Sequence, residues 1–152
     1  MNKIRTPISQ LLPQSGKMIL LDEALYGDSH SFTAKLRVKD DGLFNSGDTV
    51  PNLVSIEYMA QTIAAWAGYQ AFLQGEPVTP GLLLGVRDFS STVPNLLVDE
   101  ELEVKVRKIT QSAQGLAVFD CLVKNQRLQI SARLTALTID SFESLKSMES
   151  QI

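Results

Sequence analysis

The sequence predicts an α+β fold, an antiparallel sheet wrapped around one long central helix. Three observations carry that prediction. A stretch from about Asn52 to Leu73 is apolar nearly all round, through Leu53, Val54, Ile56, Met59, Ile63, Trp66 and Phe72. A helix without a polar face belongs inside a protein. Two segments of strand patterning precede it and about four follow it, and a sheet enclosing the helix buries all of them together. The 152 residues, 44% apolar and 20% charged, suit one globular domain. That domain is expected to span 1–152, with a core from about 8 to 140 and a short C-terminal tail.

The elements follow in order. Leu11-Leu12-Pro13-Gln14-Ser15-Gly16-Lys17 reads as a turn or loop, because Pro and Gly punctuate it. Met18 to Tyr26 is an apolar run ending in Gly27-Asp28-Ser29, a strand and a turn. Ser31 to Val38 alternates Phe32, Ala34, Leu36 and Val38 against Ser31, Thr33, Lys35 and Arg37, the pattern of a half-buried strand. Lys39 to Thr49 is a polar loop. Asn52 is the expected N-cap of the helix and Gly75 its stop. Ala60, Ala64, Ala65, Ala67, Gly68 and Ala71 leave room for something flat, such as a sheet, to approach the helix closely. Gly81 to Phe89 reads as a strand and Pro94 to Val98 as a short connection. Glu101 to Ile109 alternates, Gly115 to Lys124 is apolar on both faces, Lys124 to Arg127 is a hairpin turn, and Leu128 to Thr138 alternates again. Phe142, Leu145 and Met148 suit a short amphipathic helix in the tail.

Composition excludes several classes. The formal charge of −3 provides no basic excess for nucleic acid. Cys121 is the only cysteine and His30 the only histidine, so neither a disulfide within the chain nor a Cys/His metal cluster can form. Lys3 and Arg5 are not followed by an apolar run long enough for a secretory signal. The weakly charged stretch Thr49–Gly75 contains Pro51, Asn52, Glu57, Gln61 and Gln70, too polar for a membrane span. The expected location is the cytoplasm.

The run Val50-Pro51-Asn52-Leu53-Val54-Ser55-Ile56-Glu57-Tyr58-Met59-Ala60-Gln61 resembles the helix motif of hotdog-fold 3-hydroxyacyl-acyl-carrier-protein dehydratases, in which a Pro-containing loop leads into Glu-x-x-Ala-Gln. Leu12 to Asp22 is similar to that family's opening Leu-Pro-His-x-x-x-Met-x-Leu-Leu-Asp. Gly81 to Phe89, Val93-Pro94 and Leu102-Glu103-Val104 resemble the strands that follow the helix. The likeness runs in order from about Ile8 to Thr138, and is nearest to the dehydratase-like proteins of aryl-polyene-type biosynthetic clusters. It implies a hotdog fold and removal of water from a 3-hydroxyacyl thioester held on acyl carrier protein or coenzyme A, with no metal or organic cofactor. It also implies a site at a dimer interface, where one protomer supplies a histidine and the other an acid. Two positions depart from the pattern. The loop before the helix is Gly47-Asp48-Thr49-Val50-Pro51, without the family's histidine, and Gln14 stands where the opening motif has its own. His30 matches neither. A heterodimer with a histidine-bearing hotdog subunit is therefore expected beside the homodimer.

Glu57 is the catalytic candidate. It is the only charged side chain between Asp48 and Glu76, and it lies in the first turns of an apolar helix. Burying an unpaired carboxylate is costly, so such a group is kept neutral, paired, or turned to a pocket. The resemblance implies a general acid that protonates the leaving 3-hydroxyl. A carboxylate satisfied by backbone groups near the helix start is the structural alternative. Gln61, four residues on, shares the face of Glu57 and is expected either to orient it or to contact substrate. Leu53 and Val54 bring free backbone N–H groups at the helix start, able to polarise a thioester carbonyl. His30 reads as a turn residue, Asp48 as turn chemistry or a stand-in base, and Cys121 as a small packed hydrophobe. Lys105, Arg107, Lys124, Arg127 and Arg133 form either a patch for an acidic carrier or a solvated sheet face. Two rival functions remain open: a hotdog thioesterase using Glu57 to activate water, and a non-catalytic acyl-binding subunit.

Overall fold

The computed structural model describes residues 2–138. Its strands are β1 (Asn2–Lys3), β2 (Glu23–Gly27), β3 (Ser31–Arg37), β4 (Thr49–Pro51), β5 (Gly81–Ser91), β6 (Asn95–Leu97), β7 (Glu101–Gln111), β8 (Leu116–Lys124) and β9 (Gln129–Thr138). Seven form one antiparallel sheet in the order β1-β2-β3-β7-β8-β9-β5. The long helix α1, Ser55–Leu73, lies against β3, β7 and β8. This is the hotdog architecture.

Alternation sets the inner face. Phe32, Ala34 and Leu36 of β3 stand opposite Val106, Val104 and Leu102 of β7, and all six are buried. Val104, Val106, Cys121 and Val123 continue that face into β8. Thus β8, apolar on both faces in sequence, still alternates buried and half-buried positions. Its turn into β9 is set by Asn125, whose Oδ1 accepts the N–H groups of Arg127 and Leu128 at 2.7 and 3.0 Å.

The helix departs from expectation at its start and agrees at its end. Asn52 does not cap it. A single 3₁₀ turn, Asn52–Val54, precedes α1, and the Asn52 side chain instead donates to Val93 O at 2.9 Å. No side chain caps either the 3₁₀ turn or α1. At the other end Gly75 takes φ +69° and donates to Phe72 O, while the Glu76 N–H donates to Ala71 O. Those two bonds are the Schellman pattern that a left-handed glycine permits.

Three further expectations are corrected. In the Met18–Tyr26 run strand begins only at Glu23, the first residue of β2, and Gly16–Met18 is a 3₁₀ turn. Leu20 and Leu21 are buried through this connecting segment rather than through a sheet register. Pro94–Val98 is more than a connection: it contains β6, which pairs with β4 in a small second sheet. The close approach permitted by Gly68 is made by the Leu11 carbonyl, not by the sheet; a Cβ on Gly68 would stand 1.9 Å from that oxygen. The amphipathic tail expected at Phe142–Met148 lies outside the described residues. Among the described residues, no helix is long and apolar enough to cross a membrane.

Candidate active site around Glu57

The segment from Leu11 to Leu20 runs along α1 from Gly68 at one end to Gln61 at the other. Gln61 fastens it. Its Nε2 donates to Met18 O at 2.7 Å, its Oε1 accepts the Leu20 N–H at 2.9 Å, and only 1% of the residue is exposed. The same Nε2 donates to Glu57 Oε1 at 3.0 Å, the i,i+4 contact that the spacing predicts. One buried amide thereby fixes both the loop and the carboxyl group.

Glu57 is half-buried in the first turn of α1 and makes no ion pair among the described residues. Two cavities meet at it. An outer one of about 480 Å³ is lined by Lys17, Met18, Leu20, Leu43, Phe44, Leu53, Val54 and Ile56. An inner one of about 280 Å³ runs between α1 and the sheet, past Pro13, Gln14, Ala60, Ala64, Trp66, Leu83 and Phe119. Glu57 is the one residue that lines both. Leu53 and Val54 thus share the outer cavity with the carboxyl group, at a helix end whose dipole favours negative charge.

Trp66 forms part of the inner wall and is firmly held. Its Nε1 donates to Asp28 O at 3.1 Å, its ring meets Phe119 edge-on at 5.4 Å, and Lys108 Nζ lies 5.0 Å from the ring centroid. Gln14 Oε1 is shut off from solvent and has no hydrogen-bond partner among the described residues.

The other candidates lie elsewhere. His30 is exposed in the turn between β2 and β3, its Nδ1 2.8 Å from Ser29 Oγ. Asp48 and Thr49 line neither cavity; the Thr49 hydroxyl donates to Ser46 O at 3.1 Å. Cys121 is buried, and desolvation, then the Asp120 charge, push its thiol up to about 12. The basic cluster is largely neutralised: Arg107 and Arg133 both reach Asp120, Lys105 pairs with Glu103, and Arg127 pairs with Glu100. Sequence reasoning passed over Leu43 and Phe44. The signal was available, since two large apolar side chains interrupt an otherwise polar loop and remain over 40% exposed.

Residues 6–147 match the ApeP-like family, described as ApeP dehydratase. The chain belongs to the ApeP-like dehydratase family. It is a dehydratase-like hotdog subunit, in agreement with the resemblance read from its motifs. Among solved structures, this ApeP-like chain is similar to the dehydratase heterocomplex ApeI:P from Xenorhabdus doucetiae, with 22% identity, 95% of this chain and 99% of that one covered, and a TM-score of 0.84. It is also similar to Cj0977, a sigma28-regulated virulence protein from Campylobacter jejuni, at 9% identity, 88% coverage of each chain and a TM-score of 0.62. A hypothetical thioesterase with coenzyme A from Streptococcus pneumoniae shares 14% identity over 77% of this chain and 87% of that one, with a TM-score of 0.56. These likenesses establish the fold. A comparison with curated protein sequences finds no match.

Proposed function

We propose that this ApeP-like chain is the acid-bearing subunit of a 3-hydroxyacyl-thioester dehydratase whose substrate is carried on acyl carrier protein or coenzyme A. The observation that carries the reading is the position of Glu57, the single residue common to both cavities and free of ion pairs among the described residues. The thioester and its carrier arm occupy the outer cavity and the acyl chain the inner one, so the reacting carbons stand at the carboxyl group. N–H groups of the 3₁₀ turn at Leu53 and Val54 polarise the thioester carbonyl. A base removes the α-proton, the C–H pair becomes the new C=C bond, and the C–O bond breaks. The proton from Glu57 converts the departing hydroxide into water. Gln61 orients the carboxyl group throughout.

The base comes from a histidine-bearing hotdog partner. Thr49 stands where the family's histidine belongs, and a hydroxyl is a very weak base near neutral pH. The similarity to a dehydratase heterocomplex supports a second subunit.

Reconstitution tests this directly. Alone, the protein should dehydrate 3-hydroxyacyl thioesters slowly or not at all. With a histidine-bearing partner turnover should appear, and Glu57→Gln should lower it by about 10²–10⁴-fold while substrate still binds. Rapid dehydration by the isolated chain would sink the partner requirement. Release of free thiol would move the assignment to a thioesterase. Full activity with Glu57→Gln would leave only an acyl-binding role.

A further inference from the structure

We propose that the inner cavity is a passage open at both ends, so that the acyl chain enters at Glu57, its far end emerges at Thr79–Leu83, and thioesters with a bulky or polar distal end are accepted. The inference rests on the acyl-thioester reading and adds the kind of chain to it.

The near mouth is at Glu57, where the inner cavity meets the outer one. From there Ala60, Ala64 and Ala67 carry the wall along one face of α1. The step from Glu57 to Ala67 rises roughly 15 Å along the helix axis. The far mouth lies where the sheet itself stops. Gln111, Ala117, Ala136 and Leu83 stand side by side across β7, β8, β9 and β5, and all four line the cavity. This row is the rim of the sheet, since β7 finishes at Gln111, β8 begins at Leu116, β9 finishes at Thr138 and β5 begins at Gly81. Beyond it the lining continues to Thr79, Pro80 and Gly81, which are exposed. Leu82 and Leu83 are 45% and 38% exposed. A cavity that runs off the rim of a sheet onto exposed residues has a second mouth.

The chemistry changes along the passage. Between the mouths the three alanines of α1 form one wall, and Ala117, Phe119 and Ala136 belong to the other. An apolar chain suits that stretch. The far rim adds Thr79 and Gln111, and Gln111 Oε1 accepts a hydrogen bond from Lys108 Nζ at 2.8 Å. A polar group held between apolar walls without a partner is costly to bury. At the far mouth the same group meets water, Thr79 and Gln111. A bulky group there is likewise clear of the space between α1 and the sheet.

The test uses the full chain and non-hydrolysable acyl-pantetheine thioethers of two lengths. Chains of about six carbons are shorter than the passage and chains of about eighteen are longer, at roughly 1.3 Å per carbon. Each length carries a methyl, a hydroxyl or an alkyl diazirine at its distal end. Exchanging methyl for hydroxyl should weaken binding of the short chain at least about tenfold, because its end stays between α1 and the sheet. The same exchange should leave binding of the long chain unchanged. Photolysis of the diazirine should label Trp66 or Phe119 with the short chain and Thr79–Leu83 with the long one. An equal hydroxyl penalty at both lengths, or long-chain labels confined to Trp66 and Phe119, overturns the passage and leaves the acyl-thioester reading standing. No binding by any member of the series overturns both.

Discussion

At the residue scale, two glutamines show how hydrogen-bond accounting separates roles. Gln61 satisfies Met18 O, the Leu20 N–H and Glu57 at once. Gln61→Leu strands those groups, each at a cost of about 1–3 kcal/mol, so urea unfolding should show a loss of several kcal/mol and dehydration in the complex should fall as well. Gln14 satisfies nothing with its buried Oε1 among the described residues. Gln14→Met, of similar size, should leave the unfolding midpoint unchanged or raise it; a marked fall would reveal an unrecognised partner. A third residue carries a pH dependence. Hydrogen bonds from Arg127, foremost, and from Asn125 and the Leu97 N–H hold the Glu100 carboxyl down at about 2, below its ordinary 4.5. A depressed carboxyl stabilises the fold above its unfolded value and loses that contribution as pH falls through the folded one. The natural protein should therefore exceed Glu100→Gln in stability by about 2 kcal/mol at neutral pH. Chemical denaturation should show this gap closing between pH 4.5 and pH 2.

At the scale of elements, α1 illustrates a residue whose intrinsic preference and packing oppose each other. Glycine inside a helix normally costs about 1 kcal/mol relative to alanine, so Gly68→Ala would stabilise an isolated helix. Here the added Cβ would meet the Leu11 carbonyl at 1.9 Å, and backbone on both sides must yield. Thermal unfolding should show a net loss of about 1–3 kcal/mol, the usual cost of overpacking. Because the Leu11–Leu20 segment borders the inner cavity through Pro13 and Gln14, acyl binding should weaken too. A stabilised variant would mean that the segment lifts away readily.

Across the whole molecule, the sheet ends in an edge that looks unfinished for an isolated chain. β5 pairs with β9 on one side only, and Leu82, Leu83, Leu84 and Val86 all remain at least 38% exposed. Unpaired apolar edges invite strand addition. The same strand contributes Leu82 and Leu83 to the inner cavity, so an association there bears on the acyl site. Leu84→Lys, which places a charge on this edge, should shift light-scattering mass toward the 16.7 kDa monomer and lower activity in the reconstituted complex. Retention of full assembly would place the partner on another face, with the Leu43–Phe44 region as the next candidate.

The sequence by itself determined the helix, most of the strands and the lone carboxyl group at the helix start. These are local signals: period-two alternation in β3 and β7, an apolar circumference over Ser55–Leu73, and a charge isolated in an apolar stretch. It also placed Gln61 on the face of Glu57, because i,i+4 neighbours follow from helix geometry alone. Tertiary structure decided what those residues face. Whether Asn52 caps the helix depended on the Val93 carbonyl lying 41 positions away. The pairing of β4 with β6, the burial of Leu20 and Leu21, and the seat of Leu11 on Gly68 depend on the same kind of distant approach. The two cavities that meet at Glu57 are spaces between elements, lined by residues from the N-terminal segment to β9. No window of neighbouring residues encodes a space of that kind, because its walls come together only when the sheet closes over the helix.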